Sequence, residues 1–283
     1  MSIAILITII SSISWGLFDG IRKHLISKLN VWTLLLYLSC FYTLLFAAWA
    51  FSSSSFVVSP DYWFYGAITV LVNFLANFFY IQAIRISDIS SCVPFLAFTS
   101  LFTAASGFLI LGETLRPIQI LGIVILVIAS FFINFNPQES FCKENNGAML
   151  MILVSLLWAL SAPFDKLAVN HANVVTHSLL QSALISIANL VMVIIFAKES
   201  VFADLKQAPK FLIAGSTISA LALSLQFWAY TLMEVSIFES LKRAIAIITA
   251  FIISSIFFQE KLSMIKLIAT SFIILGAVLI LNN

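Results

Sequence analysis

Apolar runs of about twenty residues alternate along this chain with short polar interruptions, and a helix needs about 20 apolar residues to cross a bilayer core. That rule predicts spans over 3–21, 31–51, 62–84, 89–111, 117–135, 147–164, 174–197, 211–233, 236–258 and 263–281. The breaks are polar or turn-forming: "RKHLISKLN", "SSSSFVVSPD", "RISD", "GETLRP", "NPQESFCKENN", "DKLAVNHAN", "KESVFADLKQAPK", a bare "EV" and "QEK". The opening apolar stretch has no basic segment before it and runs into Arg22 and Lys23 rather than a small-residue cleavage site. It reads as a first span, not a signal peptide.

The ninth span departs from this pattern. "IFESLKRAIAIITAF", residues 237–251, carries Glu239, Lys242 and Arg243 among aliphatic neighbours. Starting the span after Arg243 leaves only "AIAIITAFIISSIFF", too short to cross. The two basic residues therefore lie roughly 10 Å along the helix, at about 1.5 Å per residue. Helical spacing puts Glu239, Lys242, Arg243, Ala246, Ala250 and Ser254 on one face and Ile245, Ile248, Ile252 and Ile256 on another. Small and polar faces mark helix interfaces and cavities in membranes, and intramembrane charge marks function. A purely structural triad also fits, because Glu239 reaches both Lys242 and Arg243 at i,i+3 and i,i+4.

The pattern repeats. "FLILGETLRPIQILG" (108–122) superposes on "SIFFQEKLSMIKLIA" (255–269) at an offset of 147, pairing Glu113 with Glu260, Gly122 with Ala269 and Ala129 with Gly276. Near the start of each half, "SISWGLFDGIRK" and "SLLWALSAPFDK" pair Trp15 with Trp158 and Lys23 with Lys166 at an offset of 143. The chain thus divides into repeats of five spans over 1–135 and 147–283, with a linker at 136–146. Five is odd, so the second repeat enters the membrane from the opposite side. The fold class expected is an all-α polytopic membrane protein of ten helices in two inverted repeats, an architecture recurrent among secondary transporters.

Composition narrows the class. Of 283 residues, 62% are hydrophobic and 9% charged, against roughly a quarter charged in soluble domains. A net charge of +2, dispersed along the chain, suggests no nucleic-acid partner. Cys40, Cys92 and Cys142 are too few and too far apart for a disulfide framework or a metal site. There is no Walker A sequence, no HExxH and no nucleophile elbow, so neither ATP hydrolysis nor an embedded enzyme is expected, and no cofactor or metal.

The Trp15–Gly16 pair, "YIQAIRISDISSCVPF" leading into "LGETL", and the matching "FFQEKL" resemble the EamA family of the drug/metabolite transporter superfamily, over both halves. The second half departs from the pattern where "WALSAP" replaces the Trp-Gly pair and Gln259 replaces the glycine before Glu260. The resemblance implies a ten-helix carrier with a central cavity lined largely by spans 1, 3, 4, 6, 8 and 9, and both termini in the cytoplasm. It names no substrate. Lys and Arg, which favour cytoplasmic loops, argue the reverse orientation: ten of them follow spans 1, 3, 5, 7 and 9, and only Arg116 and Lys166 lie on the other side.

The candidate substrate-binding residues are Arg243, Lys242 and Glu239, with Asn73, Asn77 and Tyr80 on one face of span 3 and Gln226 and Tyr230 on span 8 beside Ser216 and Ser219. Trp15 and Trp228 could stack on a flat solute. Pro94 frees a backbone carbonyl in span 4, where the offset of 147 places Cys92, Phe95, Leu96, Thr99, Thr103 and Gly107 opposite the charged stripe. Asp19 with Arg22 and Lys23, and Asp165 with Lys166, read as span-end ion pairs. His177 and Gln181 read as a hydrogen-bonded pair on span 7. Glu113 and Glu260 read as carboxylates binding free N–H groups at the next helix start. The function expected is secondary transport of a small organic metabolite, a zwitterion or organic anion, by alternating access. The alternative is a non-transporting binding or assembly subunit. Its setting would be the lipid bilayer of a bacterial cytoplasmic membrane, as monomer or homodimer.

Overall fold

The computed structural model describes residues 2–53, 56–86, 93–133, 146–196, 208–257 and 264–282. Ten helical segments run in order among them. They are α1 (Ser2–Ile26), α2 (Val31–Ser53), α3 (Tyr62–Ile86), α4 (Phe98–Ser106), α5 (Pro117–Ile133), α6 (Asn146–Asn170), α7 (Val174–Phe196), α8 (Pro209–Leu232), α9 (Val235–Phe257) and α10 (Met264–Leu281). A 3-10 turn, Val93–Ala97, leads into α4, and a π-helical turn, Gly107–Leu111, continues it. Six of the ten are long and apolar enough to cross a membrane by length and composition. The segments around α4, α5 and α10 are shorter, and α9 carries three charges.

Local chemistry sets several of these ends. Pro117 opens α5 and Pro209 opens α8, where a missing N–H costs nothing. Gly112, at φ 69°, ends the fourth span in the left-handed conformation, its N–H bonding the Phe108 carbonyl at 3.1 Å and that of Glu113 bonding Gly107 at 3.2 Å. Inside α6, Pro163 can donate nothing to the carbonyl of Ala159. Ser106 Oγ of α4 donates to that oxygen instead, at 2.6 Å.

Two helices run a turn or more past their expected ends. α1 extends through Arg22 to Ile26, and α6 through Asp165 and Lys166 to Asn170. Arg22, Asp165 and Lys166 therefore sit on helices inside the bundle rather than in links.

The packing obeys a pseudo-two-fold relation. Exchanging each helix of the first repeat with its equivalent five places on leaves α2 on α7, α5 on α10 and α4 on α9, and it converts α3 on α6 into α8 on α1. All of these join one repeat to the other, and among the described residues all but α4 on α9 are the most extensive helix pairs. At the α5–α10 crossing the backbones touch. A Cβ added at Gly122 would stand 2.7 Å from the Gly276 carbonyl oxygen, and one at Gly276 equally close to that of Gly122. Ala129 and Ala269, the symmetry mates, are buried in the same core with Ile123, Leu126 and Ile273.

A second core packs Leu25, Leu34, Ile81, Met151 and Leu212 beside the cavity described below. Large apolar side chains such as Leu17, Leu44, Phe64, Leu121, Ile187 and Val278 point outward, as lipid-facing surfaces require. Trp228 is one of them, 51% exposed, and faces away from the bundle centre. The chain is a multi-pass integral membrane protein of two inverted five-helix repeats.

Candidate functional site

A central cavity opens between the repeats. α1 contributes Trp15, Phe18, Asp19 and Arg22; α3 contributes Asn73 and Asn77; α6 contributes Trp158, Ser161 and Asp165; α8 contributes Gln226 and Tyr230; and α9 contributes Glu239, Lys242, Arg243 and Ala246. Leu38, Ser39 and Tyr42 of α2 and Gln181, Ser182 and Asn189 of α7 complete the wall. The lining thus differs from that implied by the family resemblance. α2 and α7 join it, while the described residues of α4 stand behind Arg243 rather than on the cavity. α4 packs against α6 and α9, and α2 packs against α7 across the pseudo-axis.

The acidic and basic groups of α9 are not treated alike. Lys242 Nζ donates to Glu239 Oε1 at 2.5 Å and to Gln226 Oε1 at 3.2 Å. Tyr230 Oη donates to the same Glu239 oxygen at 2.7 Å, and Gln226 Nε2 donates to Tyr230 Oη at 2.9 Å. Trp15 Nε1 donates to Gln226 Oε1 at 2.9 Å, tying α1 into the network. Glu239 Oε2 is buried without a hydrogen-bond partner.

Arg243 turns away from Glu239. Its Nη2 reaches Thr99 Oγ1 only at 3.5 Å, its guanidinium stands 5.7 Å from the Trp158 ring, and its Nε has no partner. Among the described residues no carboxylate pairs with it. Arg22, by contrast, is paired with Asp19 and lies 3.8 Å over the Tyr80 ring. Tyr80 is consequently behind the lining, packed on Trp158 at 5.5 Å, while Asn73 and Asn77 face the cavity. Asn73 Nδ2 donates to Ser161 Oγ at 2.6 Å. Pro94 falls in the 3-10 turn before α4, and its side chain, like those of Lys23, Ala250, Ser254 and Cys92, lies outside the described residues.

Three expectations from the sequence change here. Asp165 does not pair with Lys166, because successive residues of a helix point about 100° apart. Its Oδ1 accepts from Gln181 Nε2 at 2.7 Å and meets His177 Nε2 at 3.2 Å, and its Oδ2 accepts from Ser161 Oγ at 2.9 Å. Glu113 caps a helix start, but in the other repeat. Its Oε1 accepts from the Val235 N–H at 2.8 Å, and its Oε2 from the Ser236 N–H at 3.1 Å and Ser236 Oγ at 2.7 Å. Lys166 Nζ joins that clamp, 3.3 Å from Glu113 Oε1 and 3.0 Å from the Met233 carbonyl. The left-handed turn at Gly112 reverses the chain so that Glu113 points back across the pseudo-axis, not along the link. Glu260, its repeat mate, lies outside the described residues. Ser219 does not face the cavity, its hydroxyl accepting from Tyr42 at 2.6 Å.

Asp165, Ser161, Tyr42 and Asn189 were missed as site residues. The first two follow Trp158 at helical spacing, the only signal the sequence offered for them.

A ten-helix inverted repeat enclosing a polar, charge-bearing cavity defines a secondary-transporter architecture. The family model described as the EamA-like transporter family matches residues 2–135 and again 145–282. The chain belongs to that family, and is a transporter of the drug/metabolite type. A solved structure described only as "Crystal structure of protein" shares the fold, with a TM-score of 0.77 over 99% of this chain and 96% of that one, at 13% identity. No curated protein matches the sequence.

Proposed function

We propose that this protein carries a small organic solute bearing an anionic group, a zwitterion or an organic anion, by alternating access. The observation that carries the reading is Arg243: a guanidinium on the cavity wall with no carboxylate partner among the described residues, while Arg22 and Lys242 beside it are paired. An unneutralised cation inside a membrane is costly, and a planar guanidinium is shaped to receive a carboxylate or phosphate on two donors. Glu239 Oε2, buried and unused, can meet an ammonium group of the same solute. The cavity lining holds three carboxylates (Asp19, Asp165, Glu239) and three cations (Arg22, Lys242, Arg243). That balance favours a solute with little net charge.

Access alternates when the two repeats rock about the site. The Glu113–Lys166 clamp ties α4 and α6 to the start of α9, so opening that end requires its release.

The test is a thermal-shift screen of purified protein against a metabolite library, followed by counterflow in proteoliposomes for each hit. Ligand that binds the folded state raises its apparent stability. The reading expects zwitterionic or anionic hits that exchange across the membrane. Hits that bind without counterflow would make the protein a binding subunit, and hits confined to cations would refute the role of Arg243.

A further inference from the structure

At the Glu113 end of the cavity a second polar cluster lies deeper in the protein. Asp165 is 3% exposed and His177 is fully buried. The Asp165 carboxylate has no lysine or arginine within ion-pair distance among the described residues, since Lys166 is committed to Glu113. Its stabilising partners are Ser161, Gln181 and His177. The other nitrogen of His177, Nδ1, lies 3.2 Å from the hydroxyl of Tyr62, which is itself buried. Phe227 of α8 covers the imidazole at 4.6 Å. Among the described residues, the titratable groups Tyr62 on α3, Tyr230 on α8 and Lys242 on α9 lie within electrostatic reach of Asp165.

We propose that Asp165 and His177 form a proton-binding site whose loading couples solute movement to a proton gradient. The proposal rests on the carrier reading above. With neutral His177, Nε2–H donates to Asp165 Oδ1 and the Tyr62 hydroxyl donates to Nδ1, so every hydrogen-bonding atom of the pair is satisfied at a net charge of −1. One proton taken from solution brings the pair to zero. It resides on the carboxyl, or on Nδ1 with the Tyr62 hydroxyl turned to accept. No other bond changes.

Both states can be hydrogen-bonded, which is what a site that loads and unloads requires. An arginine partner would hold the carboxylate charged throughout. Asp165 and Arg243 line one cavity, so an anion on Arg243 adds negative charge near the pair and favours its protonation. Proton and anion then enter together and leave together.

Infrared difference spectroscopy between acid and alkaline pH, on purified protein without solute, reads the site directly. A pH-dependent band is expected in the wild type, either a protonated-carboxyl stretch lost in Asp165→Asn or an imidazolium ring mode lost in His177→Gln. Retained thermal unfolding in either variant shows that it is folded. Proteoliposomes with the membrane potential clamped then receive radiolabelled alanine, leucine, glutamate, lactate and succinate under an inward proton gradient. One proton per solute drives about tenfold accumulation per pH unit, and Asp165→Asn should lose that accumulation when normalised to its own counterflow. A band unaffected by both substitutions, or wild-type uptake indifferent to the gradient while counterflow proceeds, overturns the proposal. If no tested solute shows counterflow yet the substitution-sensitive band is present, the proton site stands and the carrier reading fails.

Discussion

Among the described residues two glutamate–lysine pairs sit in this bundle, and they are satisfied to different degrees. Glu113 has both oxygens engaged, by the first two N–H groups of α9, the Ser236 hydroxyl and Lys166. Lys166 uses a further donor on the Met233 carbonyl. Glu239 has one oxygen engaged by Tyr230 and Lys242 and the other empty, and among the described residues its neighbour Arg243 pairs with no carboxylate. A buried charge whose hydrogen bonds are complete holds helices in place. A buried charge left incomplete on a cavity wall is, on the function proposed above, where a solute would bind. The difference separates architecture from recognition among residues of the same type.

That contrast can be broken first at the clamp. Removing Glu113 leaves Lys166 without its counter-charge and two helix-start N–H groups unpaired inside the membrane, and breaking a buried pair costs about 3–5 kcal/mol. Glu113→Ala should therefore show the largest drop in stability of the variants considered, read by denaturant unfolding in detergent. A drop no greater than that of a surface substitution would remove the clamp from the account. Ser236→Ala takes away one donor from Glu113 Oε2 while the backbone N–H remains. The expected loss is about 0.6 kcal/mol, the average for membrane-protein hydrogen bonds, by the same unfolding measurement. The smallest effect on stability belongs to Arg243→Gln. It removes a charge held only by a long contact to Thr99 and the Trp158 ring, so unfolding should match the wild type or rise slightly. A loss comparable to that of Glu113→Ala would show Arg243 to be structural.

The span pattern was legible along the sequence because every helix must carry its own apolar run. The helix starts at 31, 62, 117, 146, 174, 209, 235 and 264 fall within two residues of those expected from apolar runs. The rule erred where it ended α1 before Arg22 and α6 before Asp165. Arg22 stays on α1 beside its helical neighbour Asp19, and Asp165 and Lys166 continue α6 because their partners lie inside the bundle. The partners that Asp165 and Lys166 find on other elements cannot be read from local spacing. Glu113 meets Lys166, Val235 and Ser236 at separations of 53, 122 and 123 residues. The charged face of α9 was visible as a helical stripe, but the split between a paired Lys242 and an unpaired Arg243 was not. Adjacent residues diverge by about 100° around a helix, and only the packing decides which of them finds Glu239.

The central claim is that Arg243 awaits the anionic group of a transported solute. Counterflow of a thermal-shift hit, compared between wild type and Arg243→Gln in proteoliposomes, tests it most directly. Losing a charged hydrogen bond of about 1.5–3 kcal/mol weakens binding by roughly ten- to a hundredfold. The account therefore predicts exchange in the wild type and none above background for Arg243→Gln at the same solute concentration, with unfolding stability retained. Exchange by Arg243→Gln at the wild-type rate would contradict it.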